Sequence, residues 1–221
     1  RLGAAVETPT FWDIDRSYNF YNDPQLGDDY AVENRRLTSP MKATVSAAFV
    51  ANKNFSMNLD YSVGLTKPTY KEYGGAESQL NNFFEDNYKN VSEVKVGAEY
   101  RVKQLRLRGG YAYSTNPFDA LTVSRFANNG DVADQSYSNL MLSDKNALSF
   151  GLGYDFKSFY VDATYQNISS KFSNPLLYGE VGGGLEDGYY SPTRLISSSS
   201  YVVSDVKNVI NNFYLTFGWK F

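Results

Sequence analysis

The densest group of residues that could do chemistry is a set of charges on two neighbouring segments of the chain. Lys95, Glu99 and Arg101 share one parity of the first segment, and Arg106 and Arg108 share one parity of the second. Side chains of one parity lie on one face of a strand. These five residues are candidate ligand-binding residues, because their cationic groups could bind a carboxylate through charge-assisted hydrogen bonds. The alternative is a structural cross-strand ladder in which Glu99 pairs with Arg108.

Two absences limit the chemistry available to this chain. The sequence contains neither histidine nor cysteine, which removes the commonest general base, the thiolate and imidazole metal ligands, and every disulfide. Ser-His-Asp hydrolysis is excluded with them. We therefore predict that the chain is not an enzyme and that it holds no cofactor and no metal ion.

Two further stretches have a composition that suggests ligand loops. The acidic stretch NNGDVADQ (128–135) lacks the spacing of an EF-hand calcium loop. The stretch VGGGLEDG (181–188) lacks the Lys-Ser/Thr pair and the strand-to-helix context of a phosphate loop. Calcium binding is disfavoured in the first stretch, and the second is interpreted as a flexible linker.

Length and charge exclude other classes of protein. The 221 residues carry a formal net charge of −3, so neither nucleic acid nor a polybasic membrane-surface segment is indicated. No run of about 20 apolar residues is present, which excludes a transmembrane helix. The chain is nevertheless rich in aromatic residues, with 19 Tyr and 15 Phe.

The last ten residues, NFYLTFGWKF, show the kind of element that must position these side chains. Every second residue is large and apolar, and polar or small residues occupy the other parity. This period of two predicts a β-strand with two unlike faces. The apolar parity consists of Phe213, Leu215, Phe217, Trp219 and Phe221.

Three pairs of segments with the same alternation are joined by links of two or three residues, which predict β-hairpins. The pairs are 41–51 with 55–65, 94–102 with 105–113, and 148–156 with 159–166. In each hairpin, the link length places apolar residues opposite apolar residues, and a slip of one residue would mix both faces. The predicted partners are Phe49 with Met57, Ala47 with Leu59, Val45 with Tyr61, Val102 with Leu105, Tyr100 with Leu107, Ala98 with Gly109, Val96 with Tyr111, Arg101 with Arg106, Glu99 with Arg108, Phe156 with Phe159, Tyr154 with Val161, Leu152 with Ala163, and Phe150 with Tyr165.

The links between the hairpins are long and polar. They cover approximately residues 12–35, 67–90, 117–145 and 173–208, and such loops are uncommon in compact soluble domains. With the segment 1–11 and the final strand, the pattern predicts eight antiparallel strands running up and down. A short helix is expected over 78–88.

The direction of the apolar face separates two kinds of β-barrel. A soluble barrel of the lipocalin kind would turn this face inward. The polar face, however, carries most of the strand glycines, which relieve crowding inside a barrel and only weaken a solvated outer surface. Strands of nine to eleven residues, short turns on one side and long loops on the other are typical of an outer-membrane barrel. We therefore predict an all-β, up-and-down transmembrane β-barrel with its apolar side chains facing lipid.

Several stretches resemble a known family of outer-membrane proteins. EVKVGAEYRVKQLRLRGGYAYSTNPF (93–118) resembles a signature hairpin of the FadL/OmpP1/TodX family of transporters for hydrophobic compounds. NALSFGLGYDFKSFYVDATYQ (146–166), RLTSPMKATVSAAFVANKNFSMNLDYS (36–62) and RLGAAVETPTF (1–11) are similar to other strands of that family, in a form typical of the Bacteroidetes group. The aromatic strand that ends in Phe221 also resembles the C-terminal signal read by the outer-membrane assembly machinery.

The resemblance implies a fold and a function. Family members are fourteen-stranded barrels with an N-terminal hatch in the lumen and a kinked early strand that opens a lateral passage. These eight strands would be the C-terminal ones, with the hatch and six strands absent, so the chain is expected to be part of a longer protein. The alternatives are a shortened relative and a complete eight-stranded barrel that acts as an anchor or adhesin.

The implied function is passive uptake of hydrophobic small molecules, such as long-chain fatty acids, across the outer membrane of a Gram-negative bacterium. The charged residues described above would then hold the fatty-acid carboxylate. The expected partners are the lipid bilayer, lipopolysaccharide and the assembly machinery. A rival hypothesis is a structural or interaction role, in which the long extracellular loops bind proteins of a larger outer-membrane assembly.

Two further groups of residues have either a binding or a packing role. Lys42 and Asp60 lie on the lumen-facing parity, where hydration or packing against the hatch is expected. The loop aromatics could form a ligand-capturing groove, or they could pack the loops together and form an aromatic girdle. They are Phe83, Phe84, Tyr70, Tyr73, Phe118, Tyr189 and Tyr190.

Overall fold

The main element of the molecule is an antiparallel sheet of eight strands. The computed structural model describes residues 1–23, 27–72, 77–126, 132–176, 194–197 and 202–219. The eight strands are β1 (Leu2–Glu7), β4 (Lys42–Val50), β5 (Phe55–Gly64), β7 (Ser92–Val102), β8 (Leu105–Ser114), β11 (Lys145–Asp155), β12 (Phe159–Leu176) and β14 (Val202–Trp219). They lie side by side in this order, and each pairs antiparallel with the strand before it. The predicted up-and-down, all-β architecture is confirmed.

The three predicted hairpins have the registers that their link lengths require. Val102 is opposite Leu105, Phe49 is opposite Met57, and Leu152 is opposite Ala163. The other predicted partners are also found, and the backbone N–H of Phe156 donates to the carbonyl of Phe159 at 2.8 Å. Because side chains alternate with a period of two, these registers keep the predicted apolar pairs on one face of the sheet.

Two strands are longer than the sequence indicates. The alternation of apolar residues predicts strands over 159–166 and 212–221, but β12 and β14 each have 18 residues. They pair continuously from Phe159 with Trp219 to Leu176 with Val202. Beyond Gln166 both faces of β12 are largely polar, so the strand continues where the hydrophobic pattern stops.

The long links between these strands contain structure of their own. Residues 12–35 lie almost entirely in a hairpin of β2 (Phe11–Asp23) and β3 (Gly27–Thr38), and β6 (Thr69–Glu72) pairs with β3. In the next two links, β9 (Leu121–Phe126) pairs with β10 (Val132–Tyr137) and with β13 (Arg194–Ser197). The helix predicted over 78–88 is confirmed as α1 (Glu77–Asn87). Within the described ranges, no helix is long and apolar enough to span a membrane.

The apolar face of the large sheet is uncovered. Among the described residues, the buried hydrophobic side chains are Leu121 and Leu140, and both belong to the long links. In contrast, Phe213 is 80% exposed and Leu152 is 53% exposed. A soluble barrel would bury these side chains at its centre, because each is worth about 1.5–3 kcal/mol of transfer free energy. The lipocalin-like alternative is therefore wrong for this chain.

The polar face is the crowded side of the sheet. A Cβ atom added to Gly97 would lie 2.5 Å from Oδ1 of Asn58, and one added to Gly110 would lie 2.7 Å from Oγ of Ser149. Gly109 points to the apolar face, and no heavy atom lies within 4 Å of its added Cβ. Side chains converge on the concave side of a curved sheet and diverge on the convex side. The glycines therefore mark the polar face as concave, which agrees with the predicted orientation.

The sheet has two open edges. In the part of the chain that the structure describes, the strand order runs from β1 to β14, and no pairing joins these two end strands. The eight strands therefore form part of a barrel wall rather than a closed eight-stranded barrel.

Candidate functional site

Three arginines and three carboxylates form a charged strip across the polar face of β7, β8, β11 and β12. Glu99 accepts hydrogen bonds from Nε of Arg108 at 2.7 Å and from Nη2 of Arg101 at 3.1 Å. Nη1 of Arg108 also donates to Oδ1 of Asp162, on β12, at 3.1 Å. Arg108 therefore connects carboxylates on opposite sides of its own strand.

Glycines on β11 make this long connection possible. Gly151 is paired with Arg108, and Gly153 is paired with both Arg106 and Asp162. A Cβ added to Gly153 would lie 2.0 Å from Oδ1 of Asp162. The missing side chain leaves the space in which the Asp162 carboxylate lies over β11 and meets Arg108.

Arg106 forms the better-buried part of the charged strip. Its Nε donates to Oδ2 of Asp155 at 3.0 Å, Nη2 pairs with the same oxygen, and its side chain is 14% exposed. The guanidinium carbon lies 5.5 Å from the centroid of the Tyr160 ring, within the range of a cation–π contact. That ring in turn covers Gly218 on β14, where an added Cβ would lie 2.2 Å from ring atoms.

Lys95 is not part of the charged strip. Its Nζ pairs with Glu93 at 3.1 Å, and Glu93 also pairs with Nζ of Lys42 at 3.4 Å. Lys42 lies 3.9 Å from Glu7 of β1 as well. Asp60, which accepts a hydrogen bond from Asn58 at 3.2 Å, completes this second charged group on the same face.

The structure thus brings together four of the five predicted residues and adds two that sequence reasoning missed. Asp155 and Asp162 lie on the polar parity of strands that the sequence already predicted, so their face could have been assigned. Their ion-pair partners could not have been predicted, because Arg108 contacts Asp162 across the intervening strand β11. Since three carboxylates match three guanidinium groups, the charged strip is internally neutralised, as in the cross-strand ladder considered above.

A shallow hollow lies beside the charged strip on the concave face. Its volume is about 520 Å³, and Glu99 and Arg108 form part of its lining. Gly97, Gly110 and Ser149 line it where large side chains would otherwise project. The hollow combines neutral polar groups with the edge of the charged strip, so it can accept a molecule with one polar end.

The predicted membrane and assembly signal lies on the opposite, exposed face. Phe213, Leu215, Phe217 and Trp219 are all exposed along the edge strand β14, and Phe221 lies outside the described residues. The Phe213 ring lies 5.0 Å from that of Tyr165.

A row of tyrosines borders the apolar face at the end of the sheet from which the long links leave. Four tyrosines of the apolar parity each form a hydrogen bond between the hydroxyl group and a polar side chain. The pairs are Tyr61 with Ser92 (3.2 Å), Tyr111 with Asn146 (2.6 Å), Tyr113 with Asp144 (2.7 Å) and Tyr165 with Asn211 (2.8 Å). Rings on the apolar side and hydroxyls on the polar side are typical of an interfacial aromatic girdle.

The described loop aromatics mostly pack against one another. The Phe83 ring lies 6.2 Å from Phe84 and 5.7 Å from Phe118, and Phe83 and Phe118 border the small core of Leu121 and Leu140. Burial raises the pKa of the Tyr88 hydroxyl, whose ring packs edge-on against Phe118. This arrangement agrees with the packing alternative for Phe83, Phe84 and Phe118.

Other predicted loop features are less fully described. The backbone of Tyr70 pairs with the side-chain amide of Asn81 on α1. Tyr73, Tyr189, Tyr190, the stretch 181–188 and residues 128–131 of the acidic stretch lie outside the described residues. Among the described residues, no group of three or more Asp or Glu is arranged to hold a metal ion.

Comparison with known proteins identifies the fold. No family model matches the chain, and no curated protein matches it. A solved structure from Pseudomonas aeruginosa, a FadL homologue, is similar to the chain with a TM-score of 0.59 and 16% sequence identity. The match covers 98% of this chain and 48% of that chain, so the chain spans about half the length of the solved structure. The sheet therefore has a FadL-like fold.

Proposed function

We propose that this chain forms part of the wall of an outer-membrane channel of a Gram-negative bacterium. The channel takes up hydrophobic small molecules, such as long-chain fatty acids, without an energy source and without catalysis. We further propose that the chain is the C-terminal part of a FadL/OmpP1/TodX-family barrel of the Bacteroidetes kind. The observation that carries the proposal is the uncovered apolar face of a sheet that has a FadL-like fold.

A membrane explains the exposed face better than water does. Large exposed apolar patches on soluble proteins are rare and promote association, whereas here exposed apolar side chains recur at every second position along much of the large sheet. In hydrocarbon, each such side chain is favourably placed, and every backbone polar group must be paired within the sheet. The open edges at β1 and β14 therefore require further strands, which complete the barrel wall.

The concave face provides the lining of the passage. Its charged strip is neutralised by its own ion pairs, so it does not attract or repel small molecules strongly. The carboxylate of a fatty acid could replace Glu99 as the partner of Arg101, whose side chain is 45% exposed. Lys95, which is 46% exposed, is the next cation along β7. Both are candidates for weak, reversible contacts with a passing ligand.

Uptake by the complete gene product tests the proposal. We would express it in a bacterial strain that lacks its own fatty-acid channel and measure the entry of radiolabelled oleate. We expect uptake to be restored, and Ser149→Trp, which fills the concave hollow, to reduce it severalfold. Phe150→Trp adds a similar side chain to the opposite face and should leave uptake unchanged.

Two results would contradict the channel proposal. The first is a folded, surface-exposed protein that gives no oleate uptake. The second is equal uptake by the wild type and by a folded Ser149→Trp variant. If the folded protein instead co-purified with a stoichiometric protein partner, the rival assembly role would be favoured, and the packed cluster of long links would be the surface to examine.

A further inference from the structure

We propose that Lys171 and Lys207 form a binding site for the phosphate groups of an anionic glycolipid in the outer leaflet of the membrane. The site lies on the outside of the wall and is separate from the charged strip on the concave face. The inference rests on the outer-membrane location in the proposed function, because it needs lipid to surround the barrel.

The two lysines are directly opposite each other on adjacent strands. Lys171 of β12 pairs in register with Lys207 of β14. Both belong to the parity of Phe159, Phe213 and Trp219, so they project from the lipid-facing side of the sheet. Like charges placed directly opposite each other destabilise a sheet unless an anion lies between them.

No carboxylate of the described residues forms an ion pair with either lysine. Neither lysine forms a salt bridge with a described residue. Asp144 borders the same basin, but its two oxygens accept hydrogen bonds from the Asn116 N–H at 2.6 Å and from the Tyr113 hydroxyl at 2.7 Å. Asp205, two residues before Lys207, accepts a hydrogen bond from Ser173. Since no described carboxylate lies within ion-pair distance of either lysine, both ammonium groups are available to an external anion.

The height of the pair corresponds to the headgroup region. Lys207 precedes Trp219 by 12 residues along β14. At a rise of about 3.4 Å per residue and a tilt of about 40°, this separation is roughly 30 Å along the membrane normal. The apolar band of such barrels is about 25 Å tall. The lysines therefore lie just above the hydrocarbon, beyond the girdle tyrosine Tyr165.

The lysine pair opens into a polar basin that can accommodate a sugar phosphate. The basin has a volume of about 680 Å³ and includes hydroxyl and amide groups from several links. Asn146, Ser169 and Ser170 contribute hydrogen-bonding groups, and Lys89 adds a third ammonium group, 3.7 Å from Asp119. Ammonium groups with nearby hydroxyl and amide groups suit a phosphate attached to a sugar. The apolar face directly below suits the acyl chains of the same lipid.

Binding of defined lipids to the purified complete protein tests this proposal. We would load the protein into nanodiscs and measure its affinity for fluorescent lipid A, for the same lipid A without phosphates, and for inorganic phosphate as a competitor. We expect the wild type to prefer phosphorylated lipid A by roughly ten- to thirtyfold, since each lysine near an anionic surface contributes about fivefold. The double variant Lys171→Gln/Lys207→Gln should lose this preference.

Lys145→Gln is the matched control. Lys145 is opposite Ser170 at nearly the same height but lies on the concave parity, so its removal should leave the preference unchanged. The proposal is overturned if the double variant keeps the preference, or if Lys145→Gln loses it equally. Displacement of lipid by millimolar inorganic phosphate would overturn the lipid assignment and indicate a free-phosphate site. Failure of the protein to enter nanodiscs at all would instead contradict the proposed membrane function.

Discussion

Glu99 and Arg108 are the central pair of the charged strip. Glu99 forms ion pairs with Arg101 and Arg108. Because its side chain is 26% exposed, solvent weakens these ion pairs without removing them. Loss of the Glu99 carboxylate would leave Arg101 without its carboxylate partner and Arg108 with Asp162 alone. The pair should therefore contribute to stability at the upper end of the range for exposed ion pairs, about 1 kcal/mol.

A double-mutant cycle measures that contribution. We expect Glu99→Gln and Arg108→Gln each to lower the free energy of unfolding by about 1 kcal/mol, with a coupling energy of similar size between them. Urea unfolding in lipid vesicles, followed by the mobility shift between folded and unfolded protein on gels, gives these values. Lys95→Gln, which removes a more exposed pair, should cost less than half as much. A coupling energy near zero would show that the hydrogen bonds are not maintained in the membrane.

Gly153 and Gly109 test the crowding of the concave face. Gly153→Ala places a methyl group where the Asp162 carboxylate lies, so the Arg108–Asp162 contact must break. We expect a loss of about 1–3 kcal/mol, the usual cost of overpacking. Gly109→Ala meets open space on the other face and should be neutral or stabilising by up to about 1 kcal/mol. Equal effects of the two substitutions on the urea midpoint would contradict the assignment of faces.

The backbone of the link between β7 and β8 is strained at one residue. Lys103 has a φ of 53°, in the left-handed region that favours glycine. We expect Lys103→Gly to raise the free energy of unfolding by about 0.5–1 kcal/mol, because the left-handed conformation costs an L-residue about 1–2 kcal/mol. The more flexible unfolded chain of the glycine variant cancels part of this gain.

The link between β11 and β12 provides the control for this experiment. Lys157 occupies the corresponding first position of a two-residue link but does not have a positive φ. Lys157→Gly should therefore be neutral or slightly destabilising. A loss of stability in Lys103→Gly would show that the lysine side chain, rather than the backbone, maintains the β7–β8 link.

The orientation of the whole sheet is tested on its edge strand. Leu215 lies near the middle of the exposed apolar column of β14, and Thr216 is its neighbour on the polar face, opposite Asp162. We expect Leu215→Arg to cost about 2–4 kcal/mol, as for a cation facing the bilayer midplane. Thr216→Arg should be tolerated, because the new guanidinium faces a carboxylate. The folded fraction in vesicles distinguishes the two variants, and greater damage from Thr216→Arg would reverse the assigned orientation.

The sequence determined the local structure of this protein: the three hairpins, their registers, the helix α1 and the two unlike faces. The hairpins and the two faces follow from period-two alternation and from links too short to permit another register. Parity also assigned Lys95, Glu99, Arg101, Arg106 and Arg108 to one face, although Lys95 pairs with Glu93 outside the charged strip.

Only the tertiary structure decided what the local pattern does not encode. The open edges at β1 and β14 and the 18-residue lengths of β12 and β14 depend on pairing between distant segments. The same holds for the contact of Arg108 with Asp162 across β11, and for the opposition of Lys171 and Lys207. In each case the partners are far apart in the chain, and the sheet brings them together by hydrogen bonding that no short stretch of sequence specifies.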